Sequence, residues 1–246
     1  MTSGTSIWSS PPASLSLHTN EVHVWRLTLD HPVENFIDLL QPDEIKRANR
    51  FHFEKDRRHF VVARGFLRVL LGRYLQIDPE HLQFSYGAWG KPALDGELRE
   101  SQLRFNMSHS HGMALYAIAE RREIGVDVEH VRADFASENV ARRFFSPFEV
   151  GVLCELPAHD RVAGFFRCWT RKEAYIKATG RGMSQPLDGF DVTLGSEEAV
   201  ALLRNDDGSH ERWKLVDIAV APGYAGALAV EKPVSEIRYL DADDRN

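Results

Sequence analysis

Two acidic residues, two positions apart, mark the stretch with the clearest capacity for chemistry. Residues 124–129 read IGVDVE, and their strict alternation predicts a β-strand that buries its three apolar side chains. Asp127 and Glu129 then share the opposite face, roughly 6 to 7 Å apart. Mg²⁺ takes one or two such carboxylates together with water and substrate phosphates, so the pair is a candidate metal site. An exposed strand face without a ligand is the alternative.

A third acid and a lysine share one face of a predicted helix. Residues 168–179 are mostly good helix formers, and Gly180 follows where a helix commonly ends on a left-handed residue. Positions three and four apart form one stripe. That stripe contains Trp169, Glu173, Ile176 and Lys177. Taken alone, it fits a solvated Glu–Lys pair; a catalytic cleft requires further acids to face it.

A polar segment, MSHSHG at residues 107–112, separates two predicted strands, one of which starts at Leu103 and the other of which covers residues 113–119. The pattern predicts a hairpin whose loop carries Ser108, His109 and Ser110. Hydroxyl and imidazole groups suit a phosphate. A transition-metal site at His109 and His111 is disfavoured because no further Cys or His ligand stands nearby. A plain polar turn is the alternative.

Basic residues are concentrated between residues 46 and 73, where nine Lys and Arg stand against two acids in a chain of net charge −6. A phosphate-bearing small molecule or an acidic protein would suit this patch, and a solvated helix surface is the alternative. The turn at Gly90-Lys91-Pro92 adds one ammonium projecting from a stiff backbone. The acidic balance of the whole chain disfavours nucleic acid as a partner.

Periodicity predicts the elements that position these residues. A strand at residues 21–29, a helix opening near Pro42 and a long helix at 55–74 come first. Ser146, Pro147 and Glu149 predict a capped helix start, a structural role. Further strands are predicted at residues 83–89, 186–194, 212–220 and 223–230. Residues 112–118 and 226–230 are loosely alike, a faint indication of two similar halves.

Composition bounds the class of protein. A chain of 246 residues suffices for one large domain or two smaller ones. Its hydrophobic content is 43%, but it has no apolar run of about 20 residues, which predicts a soluble protein outside the membrane. Residues 1–20 and 241–246 are expected to be flexible tails. Only Cys154 and Cys168 are present, which fits a reducing cytoplasm.

Five motifs in this order resemble the 4′-phosphopantetheinyl transferases of the long, surfactin-type class. The likeness covers roughly residues 41–192, and its last motif together with G-x-D-x-E is highly specific. The motifs are GKP at 90–92, FNMSHS at 105–110, IGVDVE at 124–129, RFFS at 143–146 and W-x-x-KEA-x-x-K-x-x-G-x-G at 169–182.

The resemblance implies a Mg²⁺ site at Asp127, Glu129 and Glu173, with the metal bridging the pyrophosphate of coenzyme A. It also implies that Lys177 reaches the pyrophosphate. Glu173, Lys177 and Asp127 are then the catalytic residues. We further hypothesise that Glu173, a carboxylate near Lys172, accepts the proton of the attacking serine.

The remaining coenzyme contacts follow from the same resemblance. Ser108 and His109 would touch the phosphates, and Lys91 and Pro92 would lie near the adenine and ribose. Arg47 matches a residue that helps to bind the 3′-phosphate, and Arg64 a basic position present in some members only. The chain departs from some members at Glu44, where they carry a second base, which weakens the expected 3′-phosphate contacts.

The fold implied is α+β, with two similar pseudo-symmetric α/β halves at residues 21–123 and 124–240 and coenzyme A in the cleft between them. The implied function is Mg²⁺-dependent transfer of 4′-phosphopantetheine from coenzyme A to a serine of an apo acyl or peptidyl carrier protein by a monomeric enzyme, with release of adenosine 3′,5′-bisphosphate. One alternative is a coenzyme A or carrier-binding module without catalysis. Another restricts the enzyme to the carrier of fatty-acid synthesis.

Overall fold

The computed structural model describes residues 7–205 and 207–244. The helices there are α1 (Pro42–Ala48), α2 (Glu54–Leu75), α3 (Glu138–Phe144), α4 (Pro147–Glu155) and α5 (Arg161–Thr179). The strands are β1 (Glu21–Thr28), β2 (Phe84–Tyr86), β3 (Pro92–Leu94), β4 (Leu103–Ser110), β5 (Met113–Glu120), β6 (Ile124–His130), β7 (Asp191–Val192), β8 (Leu202–Arg204), β9 (Trp213–Asp217), β10 (Tyr224–Glu231) and β11 (Glu236–Asp241). No helix of these ranges is long and apolar enough to cross a membrane.

Two main sheets repeat one topology, which confirms the predicted α+β fold with similar halves. In the first sheet the order is β11-β1-β5-β4, and in the second it is β6-β10-β9. In the first half, β1 pairs antiparallel with the closing strand β5, and β5 pairs antiparallel with β4. In the second half, β6 pairs antiparallel with the closing strand β10, and β10 pairs antiparallel with β9. The loosely similar segments of the sequence, β5 and β10, are the equivalent closing strands. Short hairpins, β2–β3 and β7–β8, also correspond.

The sheets and helices stack in four layers. Helix α2 covers the outer face of the first sheet through a core that includes Trp25, Leu67 and Tyr116. Helix α5 covers the outer face of the second sheet. Between the two sheets, the alternate apolar residues of β1, β5, β6 and β10 form a third core. This packing explains why the predicted alternation of β6 holds: its apolar side chains face the other sheet, and its acids face α5.

The first and second sheets meet where β4, the edge strand of one, lies against β6, the edge strand of the other. Polar side chains on alternate residues of β4 make the connection, starting with Asn106, whose Oδ1 accepts a hydrogen bond of 2.9 Å from the Val126 amide. Ser108 and Ser110 continue this row, which we call the β4–β6 junction. Residues 108–110 therefore belong to a strand, and the predicted loop is wrong: the turn is confined to His111 and Gly112.

The expected flexible tail is wrong for the described part of residues 1–20. Trp8 is only 9% exposed, and its Nε1 donates to the Ala219 carbonyl oxygen at 2.7 Å. Ser9 forms a parallel bridge with Leu240. Burial of a large indole in an apolar site is favourable when its N–H keeps a hydrogen bond. This gain outweighs the conformational freedom of a frayed chain. Residues 1–6 lie outside the described ranges.

The C-terminal segment crosses back to the first half. Strand β11 pairs in parallel with β1, so part of the segment assigned by sequence to the second half, residues 124–240, completes the sheet of the first. The tail expected from residue 241 is also held in part, because the Asp243 carboxylate accepts a 2.9 Å hydrogen bond from the Thr28 amide. Residues 245–246 lie outside the described ranges.

Gly125 sets how closely α5 approaches β6. A Cβ at this position would overlap the backbone of Ala174 and Ala178. We expect Gly125→Ala to reduce the free energy of unfolding by about 1–3 kcal/mol, because the backbone of α5 would have to move away from β6. Urea unfolding would measure the change.

Gly112→Ala is the matched control, because a Cβ there meets nothing within 4 Å. Its stability should stay within about 0.5 kcal/mol of wild type. Equal stability of the two variants would show that the β6–α5 contact tolerates a methyl group.

Candidate active site

Asp127 is the centre of the polar cluster between β6 and α5. Its side chain is buried, and its Oδ1 accepts hydrogen bonds from Lys177 Nζ at 2.6 Å and from Ser108 Oγ at 2.9 Å. Lys177 Nζ also donates to Ser108 Oγ at 2.8 Å. Its other oxygen, Oδ2, is buried without a hydrogen-bond partner. A buried carboxylate oxygen without a donor is costly, so Asp127 is only half satisfied by the protein.

Glu129 lies one strand repeat beyond Asp127 on the same face of β6. Its Oε2 accepts a hydrogen bond of 2.8 Å from Ser110 Oγ. Burial, followed by the negative charge of Asp127, raises the pKa of Glu129, and the Ser110 hydroxyl opposes this shift. The carboxylate is therefore held near a like charge in a partly dehydrated site.

Glu173 brings a third carboxylate to the cluster from α5. Burial is the main cause that raises the pKa of Glu173; the charges of Asp127 and Glu129 add to it, and that of Lys177 opposes it. The Glu173 carboxylate forms no hydrogen bond with the part of the chain that the structure describes. All three acids have Lys177 as a cationic neighbour, and Glu129 also feels the charge of Arg132. Their mutual repulsion favours an additional cation or a proton.

The donor set fits a hard divalent cation. Asp127 Oδ2 lacks a partner, and a cation against it would also relieve the repulsion from Glu129 and Glu173. Within residues 7–205 and 207–244, no group of three or more His, Cys, Asp or Glu side chains is already arranged around a metal position. One or two carboxylates with water and phosphate oxygens are the arrangement typical of Mg²⁺, which needs no complete protein cage.

A cavity of about 540 Å³ opens beside these acids and is formed by both halves of the chain. Helix α5 contributes Glu173, Ile176 and Lys177 to its wall. The first half contributes the turn that carries Lys91 and Pro92. The volume and the mixed apolar and charged lining are typical of a site for a small organic molecule.

Lys91 also connects the two halves. Its Nζ donates to the carbonyl oxygens of Ala178 at 3.0 Å and Ile124 at 3.2 Å, and to Glu123 Oε2 at 3.1 Å. Ala178 O is one of the last carbonyls of α5, which the helix itself leaves unpaired. All three of these acceptors are protein atoms, so it is the stem of Lys91, together with Pro92, that lines the cavity.

His109 lies close enough to Lys177 and Arg47 to feel their charges, although neither His109 nor Arg47 is among the residues that line the cavity. Partial exclusion of water around the ring lowers the pKa of His109, and the charges of Lys177, His59 and Arg47 lower it further. Arg47 is exposed, with its guanidinium over the Phe60 ring. The positive charges of Lys177 and Arg47 near His109 suit an anionic ligand.

Arg64 is not brought to this cleft. It is 5% exposed, forms a buried ion pair with Glu44 and donates to the Tyr86 hydroxyl at 2.7 Å. Arg68 Nε donates to the other oxygen of Glu44 at 2.7 Å. The Glu44 carboxylate also caps its own helix by accepting from the Gln41 amide. Glu44 therefore joins α1 to α2 through its ion pairs. It does not take over the ligand contact expected of the base that some family members carry at this position.

Lys172 points away from Glu173, so the expected proximity of the two side chains is wrong. Its Nζ donates to both oxygens of Glu149, at 2.6 and 2.7 Å, and to the Phe190 carbonyl oxygen. Adjacent residues of a helix point about 100° apart, which separates them onto different faces. Glu149 completes the capping box of α4, as predicted.

Sequence reasoning missed Asn106, Arg143 and Phe144 as contributors to the site, and it placed Ser110 in a phosphate-binding loop instead of beside Glu129. Arg143 and Phe144 line the cavity, although their motif had been noted without a role. Extending the alternation of the predicted strand from Leu103 through Ser110 would have placed Asn106, Ser108 and Ser110 on one face. The assumed loop concealed that signal.

Comparisons with known proteins relate the chain to one family. The model of the 4′-phosphopantetheinyl transferase superfamily matches residues 123–229, and that of the 4′-phosphopantetheinyl transferase N-terminal region matches residues 24–121. The chain is 40% identical over 226 residues to the 4′-phosphopantetheinyl transferase HetI of a Nostoc species, covering 91% of this chain and 93% of that protein.

A second relative, the 4′-phosphopantetheinyl transferase Sfp of Bacillus subtilis, is 28% identical over 215 residues, covering 85% of this chain and 92% of that protein. Among solved structures, the holo-acyl-carrier-protein synthase of Thermotoga maritima matches at 20% identity and a TM-score of 0.36, covering 45% of this chain and 62% of that chain. This structural likeness is too low to add to the sequence relationship.

The raised pKa of Glu173 predicts a pH-dependent loss of stability. As pH rises above the ordinary value of 4.5, the unfolded chain releases this proton before the folded protein does. Folding is therefore increasingly disfavoured up to the raised pKa. We expect Glu173→Gln to unfold at higher urea concentration than wild type at pH 7 to 8 without divalent cations, and the difference to shrink towards pH 4.5.

Glu100→Gln is the control for removal of one acid, because Glu100 is exposed in a loop. Its difference from wild type should stay small throughout the range. If Glu173→Gln is less stable than wild type at pH 8, the Glu173 carboxylate is not repelled by its neighbours in the way described.

Proposed function

The chain belongs to the 4′-phosphopantetheinyl transferase superfamily, and from this premise we propose that it moves 4′-phosphopantetheine from coenzyme A to a serine of an apo acyl or peptidyl carrier protein. One observation carries the proposal: Ser108 from the first half, Asp127 from the second and Lys177 from α5 converge on one hydrogen-bonded point, and Lys177 also lines the cavity. Such a point suits the phosphates of a ligand that extends into the cavity.

The placement of coenzyme A rests on the charges around this point. Lys177 is a donor-only ammonium with three N–H groups, two of which are engaged by Asp127 and Ser108. We assign it to the pyrophosphate, with Ser108 and His109 beside it and Arg47 towards the 3′-phosphate. Lys91 and Pro92 then lie where the ligand enters the cavity, on the side assigned to adenine and ribose.

We assign Mg²⁺ to Asp127, Glu129 and Glu173. The partnerless Oδ2 of Asp127 and the repulsion among the three carboxylates support this choice over a transition metal. When bound, Mg²⁺ would neutralise pyrophosphate charge and so stabilise the developing charge on the leaving group.

The transfer forms one P–O bond and breaks another. The serine hydroxyl of the carrier attacks the β-phosphorus of coenzyme A, and the bond from that phosphorus to the bridging oxygen breaks, which releases adenosine 3′,5′-bisphosphate. Lys177 neutralises negative charge on the phosphates. Glu173 accepts the serine proton directly or through water, because of the three carboxylates it is the one that lines the cavity.

The cellular setting is part of the proposal. The free thiols Cys154 and Cys168 suit a reducing cytoplasm. Both halves that form the cavity come from one chain, so a monomer suffices. We expect no nucleic-acid partner, because the chain carries a net charge of −6.

Intact-mass analysis of apo-carrier proteins tests the function. Incubation with the enzyme, coenzyme A and Mg²⁺ should add one 4′-phosphopantetheine group to the acceptor serine. Asp127→Asn and Lys177→Met should each slow the transfer by about 10²-fold or more, because each removes charge that organises the phosphates. Glu100→Gln, at an exposed position that does not line the cavity, should retain the wild-type rate.

The absence of any adduct on acyl and peptidyl carriers alike would refute the transferase proposal. Fast transfer by Asp127→Asn would refute the assignment of the site while leaving the function standing. If Glu173→Gln retains both cation affinity and full turnover, the proton goes elsewhere.

A further inference from the structure

Two serines of β4 pair with two acids of β6 in the same manner. Ser108 Oγ lies 2.9 Å from Asp127 Oδ1, and Ser110 Oγ lies 2.8 Å from Glu129 Oε2. Residues two apart on a strand share a face, so the second pair repeats the first along the β4–β6 junction. The proposed function uses Ser108 at the phosphates but leaves Ser110 without a role.

The hydrogen-bond direction at Ser110 is fixed by its neighbours. The His130 amide donates to Ser110 Oγ at 3.1 Å, and a backbone N–H cannot act as an acceptor. The single hydroxyl proton of Ser110 is therefore directed to Glu129 Oε2. The corresponding argument holds for Ser108, whose Oγ accepts from the donor-only ammonium of Lys177 and gives its proton to Asp127.

This arrangement orients the Glu129 carboxylate. Its Oε2 is occupied by the hydroxyl, and its Oε1 accepts no hydrogen bond from the residues that the structure describes. Without Ser110, repulsion from buried Asp127 would favour rotation of the Glu129 side chain towards water. The backbone of β6 anchors Ser110 through His130, so the serine and the acid it holds move as one unit.

We propose that Ser110 is a positioning residue that fixes the Glu129 carboxylate for the divalent cation of the transfer reaction. This inference rests on the proposed function and extends it to a residue behind the cation site. Groups that hydrogen-bond a metal ligand typically contribute 10- to 100-fold to metal affinity, because they reduce the reorientation that binding requires.

Titration of the free protein with Mn²⁺, followed by electron paramagnetic resonance, tests the proposal without catalysis. We expect Ser110→Ala to bind Mn²⁺ about 10-fold or more weakly than wild type, in the range typical of residues that orient a ligand. Ser110→Thr should restore binding because it keeps the hydroxyl. Ser110→Cys, a weak donor of similar size, should be intermediate, and provides a second test if the alanine variant folds poorly.

Steady-state transfer supplies a second readout. In Ser110→Ala the Mg²⁺ concentration for half-maximal rate should rise in parallel with the Mn²⁺ dissociation constant, while kcat at saturating Mg²⁺ stays within a few-fold of wild type. In a Glu129→Gln background, Ser110→Ala should have little further effect, because the serine acts through that carboxylate. Ser235→Ala removes a distant surface hydroxyl that bonds the Asn20 carbonyl oxygen, and is the matched control.

Unchanged Mn²⁺ affinity in Ser110→Ala would overturn the inference and leave Ser110 as a structural link between β4 and β6, even if thermal stability falls. An equal effect of Ser110→Ala in the wild-type and Glu129→Gln backgrounds would also overturn it. Both results would leave the proposed transfer intact, which fails only if the wild-type protein produces no carrier adduct.

Discussion

The two sheets meet along edge strands joined by side chains, and the candidate site depends on this junction. Backbone pairing between β4 and β6 would have aligned a ladder of amides and carbonyls. Here Asn106, Ser108 and Ser110 supply the hydrogen bonds instead. Because side chains bridge the strands, carboxylates of β6 can be held at the seam, close to the cavity that both halves form. Chemistry and the assembly of the halves therefore use the same contacts.

Charges elsewhere in the protein show how unusual the Asp127 cluster is. Glu149 and Lys172 are fully buried and satisfy each other. Glu44 is likewise paired with two arginines. At the candidate site three carboxylates share Lys177, and Asp127 Oδ2 is left without a donor. Satisfied buried pairs hold a scaffold together, whereas the unsatisfied cluster lowers stability in a way that a bound cation would reverse.

Local periodicity was sufficient to predict much of the fold. The alternation around Asp127 and the helical spacing of Glu173 and Lys177 depend on neighbours in sequence, and both elements formed as expected. The errors concern partners distant in sequence. Lys172 pairs with Glu149, and Trp8 donates to Ala219, at separations that no local pattern encodes. Ser110 was assigned to a loop because a polar strand end resembles a turn until its partner strand is known.

The account rests on the claim that the acids of β6 and α5 hold a divalent cation beside the cavity. Anomalous diffraction from crystals of the protein grown with coenzyme A and Mn²⁺ tests this most directly. The account predicts one strong Mn²⁺ peak in contact with Asp127 Oδ2, Glu129 and Glu173, with the pyrophosphate beside Lys177. A well-occupied coenzyme with no peak at these carboxylates, or with its Mn²⁺ at another group, would contradict it.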